Sequence, residues 1–328
     1  MTAMTAEVPT GPTLSPEDAT PTAARVVLRF HLQRFREHAA AACAGDVEGV
    51  HRLRVATRRL RAALRLFSPM LPRTFLGRMR RDLSWLADAI GEVRDLDVLA
   101  QQVNARATRL TPESRRALGP LALAMHDQRQ ARHAALVATL DSARCRRILE
   151  RLDAFGTSRV TGTHPRLDMV AAELVRPLLR AVLRGGRALT AESPPEALHR
   201  LRVRAKRLRY ALETVRGLGG KSLQRTLRRL VRLQDILGGC QDGFMAVAWL
   251  RHYAETSDAP QATLVATGGL IEVIARRTRK LGGRFPEVWQ DVDRHRLRAD
   301  VLAELVAGAR HGPQPVRSPI IPIGKTGS

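Results

Sequence analysis

Residues 50–67 read VHRLRVATRRLRAALRLF, and residues 198–215 read LHRLRVRAKRLRYALETV. The two stretches align His51 with His199, Arg52 with Arg200, Arg54 with Arg202, Arg58 with Lys206, Arg59 with Arg207 and Arg61 with Arg209. Further on, WLADAIGEVRDLDVL from Trp85 matches RLQDILGGCQDGFMA from Arg232, so that Leu86, Asp88, Gly91 and Asp95 meet Leu233, Asp235, Gly238 and Asp242. Two matched segments in one order, at nearly one offset, make coincidence a poor explanation and point to an internal duplication.

The repeated stretch reads as an amphipathic helix. With about 100° of rotation per residue, His51, Arg54, Arg58, Arg61 and Arg65 fall in one stripe. Leu53, Ala56, Leu60, Leu64 and Phe67 lie opposite, on the face that packs. In the second copy the stripe is His199, Arg202, Lys206 and Arg209, backed by Leu201, Ala205, Leu208 and Leu212. At about 1.5 Å per residue the first stripe is roughly 21 Å long, a row of charge and not a single-ion pocket.

The remaining chain is Leu, Ala and Arg at helical spacing, with short Pro or Gly interruptions and no sustained period-two alternation. It predicts an all-α fold in two homologous halves, 22–155 and 165–311, each a bundle of about four antiparallel helices. Residues 156–164 read as a linker. Residues 1–21 and 312–328, rich in Thr, Pro, Gly or Ser without periodicity, read as disordered.

Composition narrows the partner. Lys and Arg number 55 against 31 Asp and Glu, a formal net charge of +24, while aromatic residues make up 4%. That balance points to an anion and lacks the rings that stack nucleobases. Only positions 206, 221, 280 and 325 are Lys; Arg, whose planar fork grips phosphate oxygens in pairs, supplies the rest. A codon bias explains Arg in place of Lys, but not an excess of cations at particular helix positions. Cys43, Cys145 and Cys240 are too scattered for a disulfide framework or a metal site, and the first 24 residues, without Lys, Arg or an apolar run, do not resemble a signal peptide. No stretch reads as membrane-spanning, so a soluble, cytoplasmic protein is expected.

A solvated helix face is the ordinary reading of a charge run. Such faces mix signs at i,i+4, and like charges at that spacing repel; here no acid interrupts either stripe before Glu213. Uncompensated cations recurring in both copies are better explained by an anionic ligand. Arg78 and Arg81, matched by Arg225 and Arg228, are expected to add to the same surface, whereas Arg80, Arg229 and Arg232 read as general surface. His51 and His199 are expected to donate to phosphate, with capping of their helices as an alternative; no ligand-spaced partners suggest a metal. Asp95 and Asp242 read as caps of a helix beginning after Gly91 or Gly238, or as anchors for an Arg of a neighbouring helix.

The paired HRLRVxxRRLR and HRLRVxxKRLR helices, with LADAIGEVRDLDVL, closely resemble the CHAD family, the conserved-histidine α-helical domain, over nearly the whole ordered chain. The resemblance implies two four-helix bundles related by a pseudo-two-fold axis, with basic residues of both copies lining a central groove or pore that binds inorganic polyphosphate. It also implies, for some members, association with polyphosphate or polyester storage granules. By motif, the lining positions carry over to His51, Arg54, Arg58, Arg61, His199, Arg202, Lys206 and Arg209. Gly239, Cys240 and Gln241 replace Glu92, Val93 and Arg94, so that corner of the second copy departs from the first. The triphosphatase domain fused to many relatives has no counterpart in this sequence, and its catalysis is not expected. No cofactor, metal or catalytic residue is expected. Rival readings are a nucleic-acid-binding protein using the same Arg rows, a polyphosphate or triphosphate hydrolase, and a scaffold that coats granules through protein contacts.

Overall fold

The computed structural model describes residues 11–190, 193–293 and 297–307. Residues 1–10, and the expected tail with the last residues of the second half (308–328), lie outside the described residues. The described chain is all-α, without strands. Helices α1 (Thr20–Cys43), α2 (Val47–Leu66), α3 (Arg73–Ala107), α4 (Pro112–Ala117), α5 (Gly119–Asp141) and α6 (Ala143–Thr157) are followed by α7 (Leu167–Arg187), α8 (Pro195–Thr214), α9 (Lys221–Thr256), α10 (Gln261–Gly282), α11 (Phe285–Val292) and α12 (Leu297–Ala307). No described helix is long and apolar enough to cross a membrane.

The order of α1, α2, a 3-10 turn and α3 recurs as α7, α8, a 3-10 turn and α9. The helix lengths run 24, 20 and 35 residues in the first series and 21, 20 and 36 in the second. Local signals start these helices. The Asp46 carboxylate accepts from the Gly49 N–H at 2.6 Å, capping α2 after a turn in which Gly45 takes φ +83°. Gly49 also lets α2 cross α1 closely, since a Cβ there would stand 2.7 Å from the Ala41 Cβ. The start of α9 is capped from a distance: Glu304 of α12 accepts from the N–H groups of Gly220, Ser222 and Leu223 at 3.0, 2.7 and 2.9 Å.

The apolar face of α2, with Leu53, Ala56, Leu60 and Leu64, and that of α8, with Leu201, Ala205, Leu208 and Leu212, are buried in one continuous core that runs through both halves. A second cluster at the far ends of α3 and α9 joins Leu99, Val103, Leu121, Leu250, Leu270 and Ile274. The halves meet where α2 packs on α8 and α3 on α9.

Residues 11–21, expected to lack structure, require a correction. Thr20 and Pro21 open α1 and are buried. Leu167 and Asp168 donate to the carbonyls of Asp18 and Pro16 at 2.8 and 3.0 Å, and Thr20 donates to that of Pro165. The Thr and Pro content reads locally as loop, but these backbone groups find partners almost 150 residues away, which local composition does not report.

Candidate polyanion site

Helices α2 and α8 bring their basic faces toward each other. From α2, Arg54 donates to the Asp95 carboxylate at 3.1 Å and to the Gly91 carbonyl at 3.2 Å. The matching Arg202 of α8 stands 3.9 Å from Asp242. Gly91 and Gly238 lie within unbroken helices, where no helix begins. The capping role considered for Asp95 and Asp242 is thereby corrected: both anchor an arginine of the neighbouring helix. The absence of a Cβ matters most at Gly91, where one would lie 3.1 Å from an Arg54 nitrogen.

One turn further along, Arg58 donates to the Tyr210 hydroxyl and lies over its ring at 5.5 Å. Lys206 occupies the equivalent place on α8. Burial, followed by the charges of Arg58, Arg202 and Arg54, pushes its ammonium down to about 6, with Asp242 opposing. Burial, with Arg202 and Lys206 opposing and Asp95 reinforcing, raises the Asp242 carboxyl. Among the described residues no carboxylate makes an ion pair with Arg58 or Lys206. The Nε–H groups of Arg58 and Arg202 are buried without a hydrogen-bond partner, an arrangement costly enough to call for an explanation.

The farther residues of the α2 stripe have different neighbours. Burial, then Arg207, Arg61 and Arg80, lowers the Arg65 guanidinium to about 10. Arg204 and Arg61 act likewise on Arg207, after burial. A second cationic group therefore gathers Arg61 and Arg65 of α2 with Arg204 and Arg207 of α8 and Arg80 of α3. A shallow pocket beside it is lined by Arg65, Arg207, Leu66, Pro69 and Leu178.

Between the groups, the half-exposed Arg209 is held at 3.2 Å by Glu213, which also accepts from the buried Arg59 at 2.9 Å. This bridge across α2 and α8 is structural: Arg59 is 8% exposed. Behind it sits the buried His31, pushed to about 3 by burial and by Arg59 and Arg34.

The histidines differ from each other. His51 is half-buried, and burial followed by the charge of Arg94 holds its imidazole below its ordinary value. His199 is exposed, its Nδ1 2.9 Å from the Gln241 side-chain oxygen. Neither caps a helix; Asp46 caps α2, and α8 starts at Pro195, after Pro194, without a side-chain cap.

The second tier is arranged differently from the expectation. Arg78, Arg81, Arg225 and Arg228 are all exposed, and the hydrogen bond seen for Arg225 is local, to Ser222 at 3.1 Å. On α3 it is instead Arg80 that stands by Arg65 and Arg94 that stands by His51. Helical phase explains this, because Arg80, Gly91, Arg94 and Asp95 share a sector about 100° wide, with Arg78 roughly opposite. Arg232, read as general surface, pairs with Asp291 at 3.0 Å. Tyr210 was also missed, although it marks a departure within the repeat, standing where the first copy has Ala62.

Fold and site together define an all-α protein that collects cations from two similar helical series at their shared interface. The chain belongs to the CHAD domain family, which matches residues 26–251. It is similar to the crystal structure of the CHAD domain from the plant Ricinus communis, with a TM-score of 0.65 and 25% identity over 92% of this chain and 96% of that one. PptA from Streptomyces chartreusis shares the fold, with a TM-score of 0.67 and 21% identity over 83% of this chain and 100% of that one. Among curated proteins, the uncharacterized protein Rv2226 of Mycobacterium tuberculosis is 29% identical over 209 residues, covering 61% of this chain and 39% of the relative. The match thus spans well under half the length of that relative.

Proposed function

We infer that this protein binds inorganic polyphosphate, without cleaving it, in a basic groove between α2 and α8 floored by α3 and α9. One observation carries the reading: Lys206 and Arg58, from different halves, lie among Arg54 and Arg202 with no carboxylate ion pair of their own among the described residues. Bringing such charges together is unfavourable in the free protein, and a bound polyanion reverses the sign of that interaction. The guanidinium groups of Arg58 and Arg202 carry forked N–H donors of the kind phosphate oxygens accept in pairs. Two cationic groups in series along α2 suit an extended anion better than a single phosphate. Arg54, Arg58, Arg202, Lys206 and His51 would form the first contact region, and Arg61, Arg65 and Arg207 the second. His199 and Arg209 would join from the edges.

In this reading the arginines neutralise and position and do not activate water, so no cofactor or metal is needed. A polyphosphate-rich granule would be a natural partner surface, in the cytoplasm, and nucleic acid a weaker competitor.

The test is a fluorescence titration with labelled medium-chain polyphosphate, competed by RNA and DNA at physiological salt, with orthophosphate release followed in the presence of Mg²⁺. Tight polyphosphate binding, weak nucleic-acid competition and no phosphate release are expected. Equal or stronger nucleic-acid binding, or sustained release, would reject the reading.

A further inference from the structure

Lys206 differs in kind from the cations around it. Arg58 holds the matching place on α2, and a guanidinium is a permanent cation with no free lone pair to offer, whereas a primary amine can lose its proton and become a nucleophile. The groups acting on Lys206 are Arg58 and Arg54 from α2, Arg202 one turn back on α8, and Asp242 from α9. Asp242 is the one acid among them, yet its ion pair is with Arg202, at 3.9 Å. Burial and three neighbouring cations push the amine down to about 6, so it is mostly free base at neutral pH. The same guanidinium groups are phosphate ligands by their chemistry. A nucleophile and a phosphate cradle therefore stand side by side.

We propose that Lys206 is a site of covalent acylation by acyl phosphates, small anions that carry a reactive carbonyl on a phosphate. This rests on the reading that the groove binds phosphate anions. The phosphoryl oxygens settle on Arg58 and Arg202, which places the acyl carbon by the Lys206 nitrogen. The nitrogen lone pair attacks that carbon, a C–N bond forms, and the C–O bond to phosphate breaks. The proton lost by nitrogen leaves on the departing hydrogen phosphate. The product is an amide and inorganic phosphate, with no oxidant or reductant required. Acylation prevents the protonation that Lys206 would undergo on binding a polyanion and adds bulk between Arg58 and Arg202, so it also weakens polyphosphate binding.

The chain contains its own controls. Lys221 at the start of α9 and Lys280 in α10 are exposed, away from such a cluster. The intact protein would be incubated with acetyl phosphate at pH 7.5, and acetylation at each lysine followed by peptide mass spectrometry. Free-base fraction favours an amine titrating near 6 over an ordinary one by about 10³, and lower intrinsic nucleophilicity returns about two of those decades, leaving about a tenfold preference for Lys206. Tripolyphosphate added to the unaltered protein should slow Lys206 at least about fivefold and leave Lys221 and Lys280 unchanged, an arm that needs no variant to fold. Equal rates at the three lysines, or a preference for Lys206 that tripolyphosphate does not reduce, would overturn the proposal. Even labelling alongside tight polyphosphate binding sinks this inference alone. Failure of polyphosphate both to bind and to protect sinks the groove reading itself.

Discussion

Polyphosphate binding should draw a proton from solution, and Lys206 sets how much. In the free protein its ammonium titrates at about 6, so at pH 7.5 only about 3% of molecules carry that charge. Phosphate oxygens beside the nitrogen set attraction against the burial and the repulsion of three arginines, and raise it toward its ordinary 10.5. The bound state is then almost fully protonated, and uptake approaches one proton per groove. By linkage, affinity falls by up to about tenfold per pH unit as pH rises above about 6, until the bound-state value is passed. His51, also lowered by burial and Arg94, adds a smaller uptake at the acid end of that range. Calorimetric titration at pH 7.5 in two buffers of different ionisation heat counts the protons directly. Lys206→Arg, which keeps the charge and removes the titration, should retain binding and lose most of the uptake. Uptake below about 0.3 proton, or uptake unchanged in Lys206→Arg, would refute the reasoning.

Other consequences follow from the same contacts. Because the folded-state value of Lys206 is depressed, the unfolded chain binds a proton that the native chain does not between about pH 6 and 10.5. Native stability therefore rises with pH across that window. Lys206→Met should stabilise the free protein at pH 7.5 by about 1–2 kcal/mol after allowance for solvent screening, with the gain fading in thermal melts as pH rises toward 10.5 and absent above it. Glu213→Ala should cost about 3 kcal/mol by leaving the buried Arg59 unpaired, read from the urea midpoint. Gly49→Val should cost more than about 2 kcal/mol, because a Cβ at this crossing meets both the side chain and the backbone of α1.

Helix type and the buried faces of α2 and α8 were legible in the Leu and Ala spacing, because one apolar stripe admits one orientation toward a core. The convergence of the two basic faces was an expectation carried by the repeat. What the repeat hid was inequality: Arg59 and Arg207 are matched in sequence, but Glu213 lies within reach of the first and leaves the second exposed. A partner 154 residues away has no local signature. Tyr210 likewise looks like an ordinary core aromatic until Arg58 crosses to it from the other half. On α3 the sequence pointed to Arg78 and Arg81, whereas Arg80 and Arg94 stand beside Arg65 and His51, for a simpler reason. A long helix buried on several sides offers no sequence cue to which sector faces α2, and a difference of one residue turns the side chain by about 100°.

The groove reading is tested most directly by the salt dependence of polyphosphate binding, compared between the natural protein and Arg58→Gln/Arg202→Gln. Displacement of counterions by about six phosphates predicts a logarithmic slope near −4, and removal of the two cations should flatten it by about one to two while weakening binding. A shallow slope, or one that both substitutions leave unchanged, would contradict the assignment of the polyanion to the interface of α2 and α8.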